Sequence, residues 1–156
     1  MLKRLELLVP PPLWLLLCVA IAYGLAQLSA QWSWLILPSG LVKLQWPLVF
    51  LAAFIAAASL IGFARKHTTI NPHHPERSKH LVVEGLYRYS RNPMYLSLLL
   101  LLTAWCLHLQ AGLSFLSCVV FVLLINRLQI EPEEKLLTQQ FNQQYLQYCR
   151  KVRRWL

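Results

Sequence analysis

Long apolar runs alternate with short charged stretches along this chain. The first uncharged run covers residues 13–30, and the second covers residues 44–64 between Lys43 and Arg65. Each is about twenty residues long, which suffices for one membrane crossing at ~1.5 Å of rise per residue. The pattern therefore predicts two N-terminal transmembrane helices.

A third uncharged run, residues 92–126, is far longer than the roughly twenty residues that one crossing needs. It is interrupted at residues 108–112, His-Leu-Gln-Ala-Gly. We therefore predict a tight helical hairpin whose two arms are each rather short for a full crossing. This brings the expected total to about four transmembrane helices.

The last segment, residues 127–156, is polar and has helical periodicity. Apolar and aromatic residues recur at spacings of four, four, three and four: Leu137, Phe141, Tyr145, Tyr148 and Val152. Such a stripe is typical of an amphipathic helix, and Pro132 followed by two glutamates suits a helix N-terminus. We predict a cytoplasmic amphipathic C-terminal helix lying on the membrane surface.

Composition supports a membrane protein. The 156 residues are 57% hydrophobic and only 13% charged, and a small globule has too little interior to bury that much apolar side chain. We expect a single all-α membrane domain, residues 1–156. A cleavable signal sequence within residues 1–30 is the competing interpretation, because Leu28-Ser29-Ala30 resembles a cleavage site.

The net charge of +9 is unevenly distributed. Basic residues precede the first helix, fill the loop at residues 65–91 and follow the hairpin, whereas the opposite side has only Lys43. This bias predicts that both termini and the central loop are cytoplasmic. It favours a membrane over nucleic acid as the partner of the basic residues.

Cysteine and histidine spacing predicts neither a disulfide framework nor a metal site. No Cys-x-x-Cys pair occurs among the four cysteines, which suit small buried hydrophobic positions. Four histidines fall at residues 67–80, but prolines interrupt them and their spacing fits no usual metal site. A solvated loop is the favoured interpretation.

Two polar clusters bracket the hairpin. Residues 87–95 precede it, and Arg127, Glu131, Glu133 and Glu134 follow it. Because the hairpin returns to the side it left, we expect the two clusters to meet and form a pocket with the loop at residues 67–80. Ionisable groups at membrane depth suggest function. Carboxylates, arginines and aromatic rings suit adenosine, amino-acid and sulfonium groups, although ATP or a lipid headgroup is nearly as compatible.

These clusters resemble the isoprenylcysteine carboxyl methyltransferase and phospholipid methyltransferase superfamily, including its small bacterial members. The matching residues of the first motif are Leu81, Val82, Gly85, Tyr87, Arg91, Asn92, Pro93 and Tyr95. Those of the second are Arg127, Glu131, Glu133, Glu134, Leu137, Phe141, Tyr145 and Tyr148. Two departures are Asn92, where eukaryotic members commonly have histidine, and Asn142, where glycine is usual.

The resemblance implies an S-adenosylmethionine-dependent methyltransferase of the bacterial inner membrane, with its active site on the cytoplasmic side. It implies that residues 1–64 form two N-terminal helices and that residues 65–156 form the cofactor-binding catalytic part. The implied cofactor-binding residues are Lys79, His80, Leu81, Val82, Tyr87, Asn92, Pro93, Met94, Tyr95 and Glu131. Arg127 would orient the substrate, and Gly85, Arg91, Glu133 and Glu134 would support the site.

The identity of the methyl acceptor stays open at this point. A lipophilic or small carboxylate, thiol or amine acceptor is compatible. A carboxylate or thiolate requires no general base, whereas an amine has to lose a proton. We therefore predict no particular catalytic base. The alternative to an enzyme is a small membrane protein that serves as an assembly or transport partner.

Overall fold

Four apolar helices packed side by side form the body of the protein in a computed structural model, which describes residues 9–32, 35–65 and 81–156. The α-helices are α1 (Pro11–Ser29), α2 (Ser39–Val42), α3 (Gln45–Arg65), α4 (Pro93–His108), α5 (Leu116–Ile125) and α6 (Glu131–Lys151). Within the described ranges there is no β-sheet, only an isolated bridge between Ile36 and Ala111. The all-α prediction is confirmed, although the short helix α2 was not predicted.

Three helical stretches are long and apolar enough to cross a membrane: Pro11–Ser29, Ser39–Gly62 and the continuous stretch Gly112–Lys151. Helix α4 has 16 residues and is ~24 Å long at 1.5 Å per residue, which is less than the ~30 Å hydrocarbon core. The predicted hairpin is confirmed by α4 and α5 on either side of residues 109–115, and its first arm is short as predicted. The prediction of a short second arm is wrong, because that arm belongs to the 40-residue helical stretch Gly112–Lys151.

Helix α4 lies at the centre of the bundle. It packs against α3 on one side and α5 on the other, and α1 covers both α4 and α5. One buried core cluster joins α1, α4 and α5 with the turn after α5, and its members are Cys18, Tyr95, Leu102, Phe121, Ile125 and Ile130. Large side chains on the outer faces, such as Phe50, are mostly exposed. Because lipid solvates apolar surface, this outward arrangement suits a membrane.

The turn of the hairpin is held at the end of the bundle opposite the polar clusters. The backbone N–H of Leu37 donates to the carbonyl of Gln110 at 2.7 Å, and His108 Nδ1 lies 3.0 Å from Gln45 Oε1. A Cβ at Gly112 would lie 3.1 Å from the Leu35 carbonyl oxygen. The α4–α5 turn therefore fits closely against the segment between α1 and α3.

Helix α6 is bent at Asn142, whose φ of 44° and ψ of −119° are not helical. The predicted C-terminal helix is confirmed, but its stripe spans two segments, residues 131–141 and 143–151, rather than one straight helix. Tyr145, Tyr148 and Val152 form one cluster, against which Leu137, Phe141 and Leu81 pack. The bend thus folds the second segment back onto the chain that leads into α4.

All four cysteines are free thiols, and the nearest two sulfur atoms, those of Cys106 and Cys118, lie 3.9 Å apart in the hairpin. No group of histidine, cysteine and glutamate side chains in the described ranges has the geometry to hold a metal ion. The loop containing His67, His73 and His74 lies outside those ranges.

Candidate functional site

A tight turn precedes α4 and sets the direction in which the helix starts. Gly85 has a φ of 62°, which glycine adopts without steric cost, and it opens the 3₁₀ turn Gly85–Arg88. The hydroxyl of Tyr148 donates to the Tyr87 carbonyl at 2.6 Å. Pro93 occupies the first turn of α4, where the missing N–H of proline is not needed.

The downstream cluster starts in a distorted helical turn. Between α5 and α6 the chain forms a π-helical turn, Asn126–Ile130, a local widening that is frequent at functional sites. The buried Gln129 amide donates to the Val9 carbonyl at 2.9 Å and ties this turn to the chain before α1. Arg127 Nη1 lies 2.6 Å from Glu131 Oε2, and the Arg127 side chain is 68% exposed.

Two side-chain contacts join the upstream and downstream clusters, as the hairpin prediction requires. Arg91 Nη2 lies 2.7 Å from Glu134 Oε1, and the hydroxyl of Tyr95 donates to Glu133 Oε1 at 2.5 Å. Glu133 therefore holds a side chain of α4 and Glu134 holds one just before α4, and both glutamates lie where the helix dipole favours negative charge.

Burial affects Glu133 more than its neighbours in α6. Loss of solvent around the carboxyl raises the pKa of Glu133 because burial disfavours the charged form, while the Tyr95 hydroxyl opposes this by donating a hydrogen bond to it. The nearby Glu134 adds to the rise through like-charge repulsion.

The chain end runs back across the start of α4, and we call residues 152–155 the C-terminal strap. The Arg153 carbonyl accepts from the Arg91 backbone N–H at 3.0 Å. The Arg154 carbonyl accepts from the Asn92 side-chain amide at 3.0 Å. Trp155 Nε1 donates to Asn126 Oδ1 at 3.1 Å. Asn92 therefore uses its amide to hold the strap, and it makes no side-chain cap of α4.

A shallow cleft of about 480 Å³, wide open to the outside, lies beside these contacts. Its lining residues are Glu131, Glu134, Lys135, Thr138, Gln139 and Arg154. Two carboxylates and two cations thus face one space, together with neutral hydrogen-bonding groups. The cleft can therefore bind a ligand that carries both positive and negative charge.

The predicted site residues fall into three groups. Glu131 and Glu134 line the cleft, and Arg91, Asn92, Tyr95 and Glu133 make the contacts that surround its base. Leu81, Val82, Tyr87, Pro93 and Met94 lie in the packing around the start of α4: Leu81 lies against the Tyr145–Tyr148 cluster, Val82, Tyr87 and Pro93 are buried, and Met94 is partly buried. The predicted positions Lys79 and His80 lie outside the described residues.

Four residues that line the cleft were missed from the sequence: Lys135, Thr138, Gln139 and Arg154. The first three follow Glu131 and Glu134 on one side of α6, so helical spacing from those glutamates would have found them. Arg154 offered no such signal, since its position depends on the return of the chain after α6.

Part of the chain is similar in sequence to known proteins. Residues 42–144 match the model of a family described as phospholipid methyltransferase. An uncharacterized protein of Haemophilus influenzae is 51% identical to the chain over 63 residues, which are 40% of this chain and 100% of that protein. No solved structure matches the chain.

Proposed function

The chain belongs to the phospholipid methyltransferase family, and from this premise we propose that it transfers the methyl group of S-adenosylmethionine to a lipophilic or small acceptor. The acceptor atom belongs to a carboxylate, a thiol or an amine. Residues 65–156 supply the cofactor-binding catalytic part, and residues 1–64 supply two helices that hold it in the membrane. The observation that carries the proposal is the cleft between α6 and the C-terminal strap, which lies beside the contacts from Arg91 and Tyr95 to α6.

The residues of the cleft fit this cofactor. S-adenosylmethionine carries a sulfonium, an ammonium and a carboxylate beside a ribose diol. Glu131 is suited to the cationic groups or the diol, and the cations of the cleft are suited to the carboxylate.

When bound, the cofactor supplies an electrophilic methyl group on a sulfonium sulfur. The protein has to hold the acceptor in line with that group and keep water away, and it needs no covalent nucleophile of its own. Tyr95 and Asn92 support the base of the site through Glu133 and the strap. Glu131 belongs to the cofactor side of the cleft.

Arg127 is the proposed link between cofactor and acceptor. Its guanidinium contacts Glu131 and is otherwise largely exposed, so it is positioned to pair with an anionic group of an acceptor that approaches from the membrane surface. The site faces the cytoplasm of a bacterial inner membrane in this proposal, because the basic residues at both ends of the chain favour that side.

The first test is ligand binding to the purified full-length chain in detergent. S-adenosylhomocysteine at 100 times its Kd should stabilise the folded protein by ~2.7 kcal/mol, and this appears as a higher melting temperature. A well-folded sample that shows no shift at saturating ligand would refute the proposal and favour the non-enzymatic alternative.

Variants then test the division of roles. Glu131→Gln and Tyr95→Phe should weaken S-adenosylhomocysteine binding, because each removes a polar group at or beneath the cleft. Arg127→Ala should leave binding intact and lower turnover. Arg150→Ala, which removes an exposed cation elsewhere on α6, is the matched control. Loss of cofactor binding in Arg127→Ala with normal turnover at saturation would contradict the assigned roles.

A further inference from the structure

The backbone of Arg154 is held in place by hydrogen bonds from the chain that leads into α4. Its carbonyl accepts hydrogen bonds from the Asn92 amide at 3.0 Å and the Ser90 hydroxyl at 3.4 Å. The residues on either side are also held, one by the Arg91 backbone N–H and the other by Asn126. The strap therefore delivers this one side chain to the cleft from a fixed backbone.

The guanidinium of Arg154 is oriented by Glu134, but not all of its N–H groups donate hydrogen bonds. Its Nη2 lies 2.6 Å from Glu134 Oε2, and its Nε donates to Glu134 Oε1 at 3.3 Å. No acceptor within the described ranges receives a hydrogen bond from its Nη1. The side chain is 34% exposed and lines the cleft, so donors remain for a ligand.

Glu134 is shared between two arginines, Arg91 and Arg154, and so neutralises only one of them. Lys135 adds a further cation on the same wall of the cleft. An arginine with free donors beside an unneutralised charge is suited to a carboxylate, which matches the planar fork of a guanidinium.

We propose that Arg154, presented by the C-terminal strap, binds the carboxylate of the amino-acid part of the cofactor, an inference that rests on the proposed function. Glu134 orients the guanidinium and Lys135 strengthens the local positive potential. In this proposal the strap contributes a ligand-binding side chain, besides holding the end of α6 in place.

The test compares two probes by calorimetric binding to the full-length chain in detergent. S-adenosylhomocysteine carries the carboxylate, and its decarboxylated analogue keeps the adenosine, thioether and amine. Arg154→Gln should lower the affinity for S-adenosylhomocysteine about ten- to a hundredfold, the usual effect of losing a charged hydrogen bond. It should leave the affinity for the decarboxylated analogue unchanged. The affinity of Arg154→Lys for S-adenosylhomocysteine should lie between those of the wild type and Arg154→Gln.

Arg153→Gln is the matched control, because this neighbouring arginine is exposed and does not line the cleft. It should bind both probes as the wild type does. If Arg154→Gln weakens both probes equally, or neither, the assignment of Arg154 is overturned and the proposed function stands. If the wild-type protein binds neither probe, the proposed function fails and this inference fails with it.

Discussion

Replacement of Glu134 by glutamine tests whether the ion pairs that join α6 to Arg91 and Arg154 are a main source of stability. The variant keeps the size of the side chain and removes its charge. In the native protein that charge is shared by Arg91 at 2.7 Å and Arg154 at 2.6 Å, and the Arg91 side chain is only 13% exposed. Glu134→Gln therefore leaves a poorly solvated guanidinium without its carboxylate.

The expected loss follows from the burial of the three side chains. Breaking a fully buried ion pair costs ~3–5 kcal/mol, whereas an exposed pair contributes ~0–1 kcal/mol. Glu134 is 19% exposed and Arg154 is 34% exposed, so this network lies between those limits. Arg91 also keeps its hydrogen bonds to the carbonyls of Cys149 and Val152. We expect a loss of about 2–3 kcal/mol in the free energy of unfolding.

Glu131→Gln is the matched control, since the same chemical change occurs one turn away. Glu131 pairs with Arg127 across one helical turn, and the Arg127 side chain is 68% exposed. Such a pair contributes only ~0.3–0.5 kcal/mol. The assay is equilibrium unfolding in mixed micelles, followed by tryptophan fluorescence, for both variants without ligand.

The two variants should therefore differ in which property they impair, stability or ligand binding. Glu134→Gln should lower stability strongly, whereas Glu131→Gln should lower stability little and weaken ligand binding. Equal losses of stability, or a loss below ~1 kcal/mol for Glu134→Gln, would show that the network is screened like a surface pair and that the energetic argument is wrong.

Two further predictions concern α6. Asn142→Gly should raise the free energy of unfolding by ~0.5–1 kcal/mol, because a φ of 44° strains any residue with a Cβ. Gln143→Gly, in the regular helix beside it, should lower the free energy of unfolding by about 1 kcal/mol. If both variants are less stable than the wild type, the bend at Asn142 is contradicted. Burial raises the pKa of Glu133 beside Tyr95 and Glu134, so the folded state keeps a proton that the unfolded chain has already released. Stability should fall as pH rises from the ordinary pKa of glutamate through the raised value, and a wild-type minus Glu133→Gln difference that is flat over this range would refute the shift.

The sequence was sufficient for the arrangement of helices because membrane insertion is governed by the length and apolarity of each run. The limits of α1 and α3 agree with the runs at residues 13–30 and 44–64 to within two residues. The break at residues 108–112 gave the turn of the hairpin. From that turn alone it followed that the polar clusters on either side would meet, and the Arg91–Glu134 and Tyr95–Glu133 contacts confirm it.

The hydrophobic periodicity could not predict the bend in α6. A stripe with helical spacing continues through residue 142 whether or not the backbone is straight. The only signal was that asparagine stands where the resembling family usually has glycine. The φ of 44° at this position gives the physical reason for that preference.

The membership of the candidate site was decided only in three dimensions. By itself the chain determined that helices would cross a membrane and that charged residues would collect at one end, because these depend on composition over many residues. Which charges share a partner depends on where the backbone goes after α6. The strap brings Arg154 to Glu134 from the end of a segment that was predicted to lie on the membrane surface. Hydrogen bonds from Asn92 and Arg91 fix that return path. They act between residues about sixty positions apart, a separation that no local pattern records.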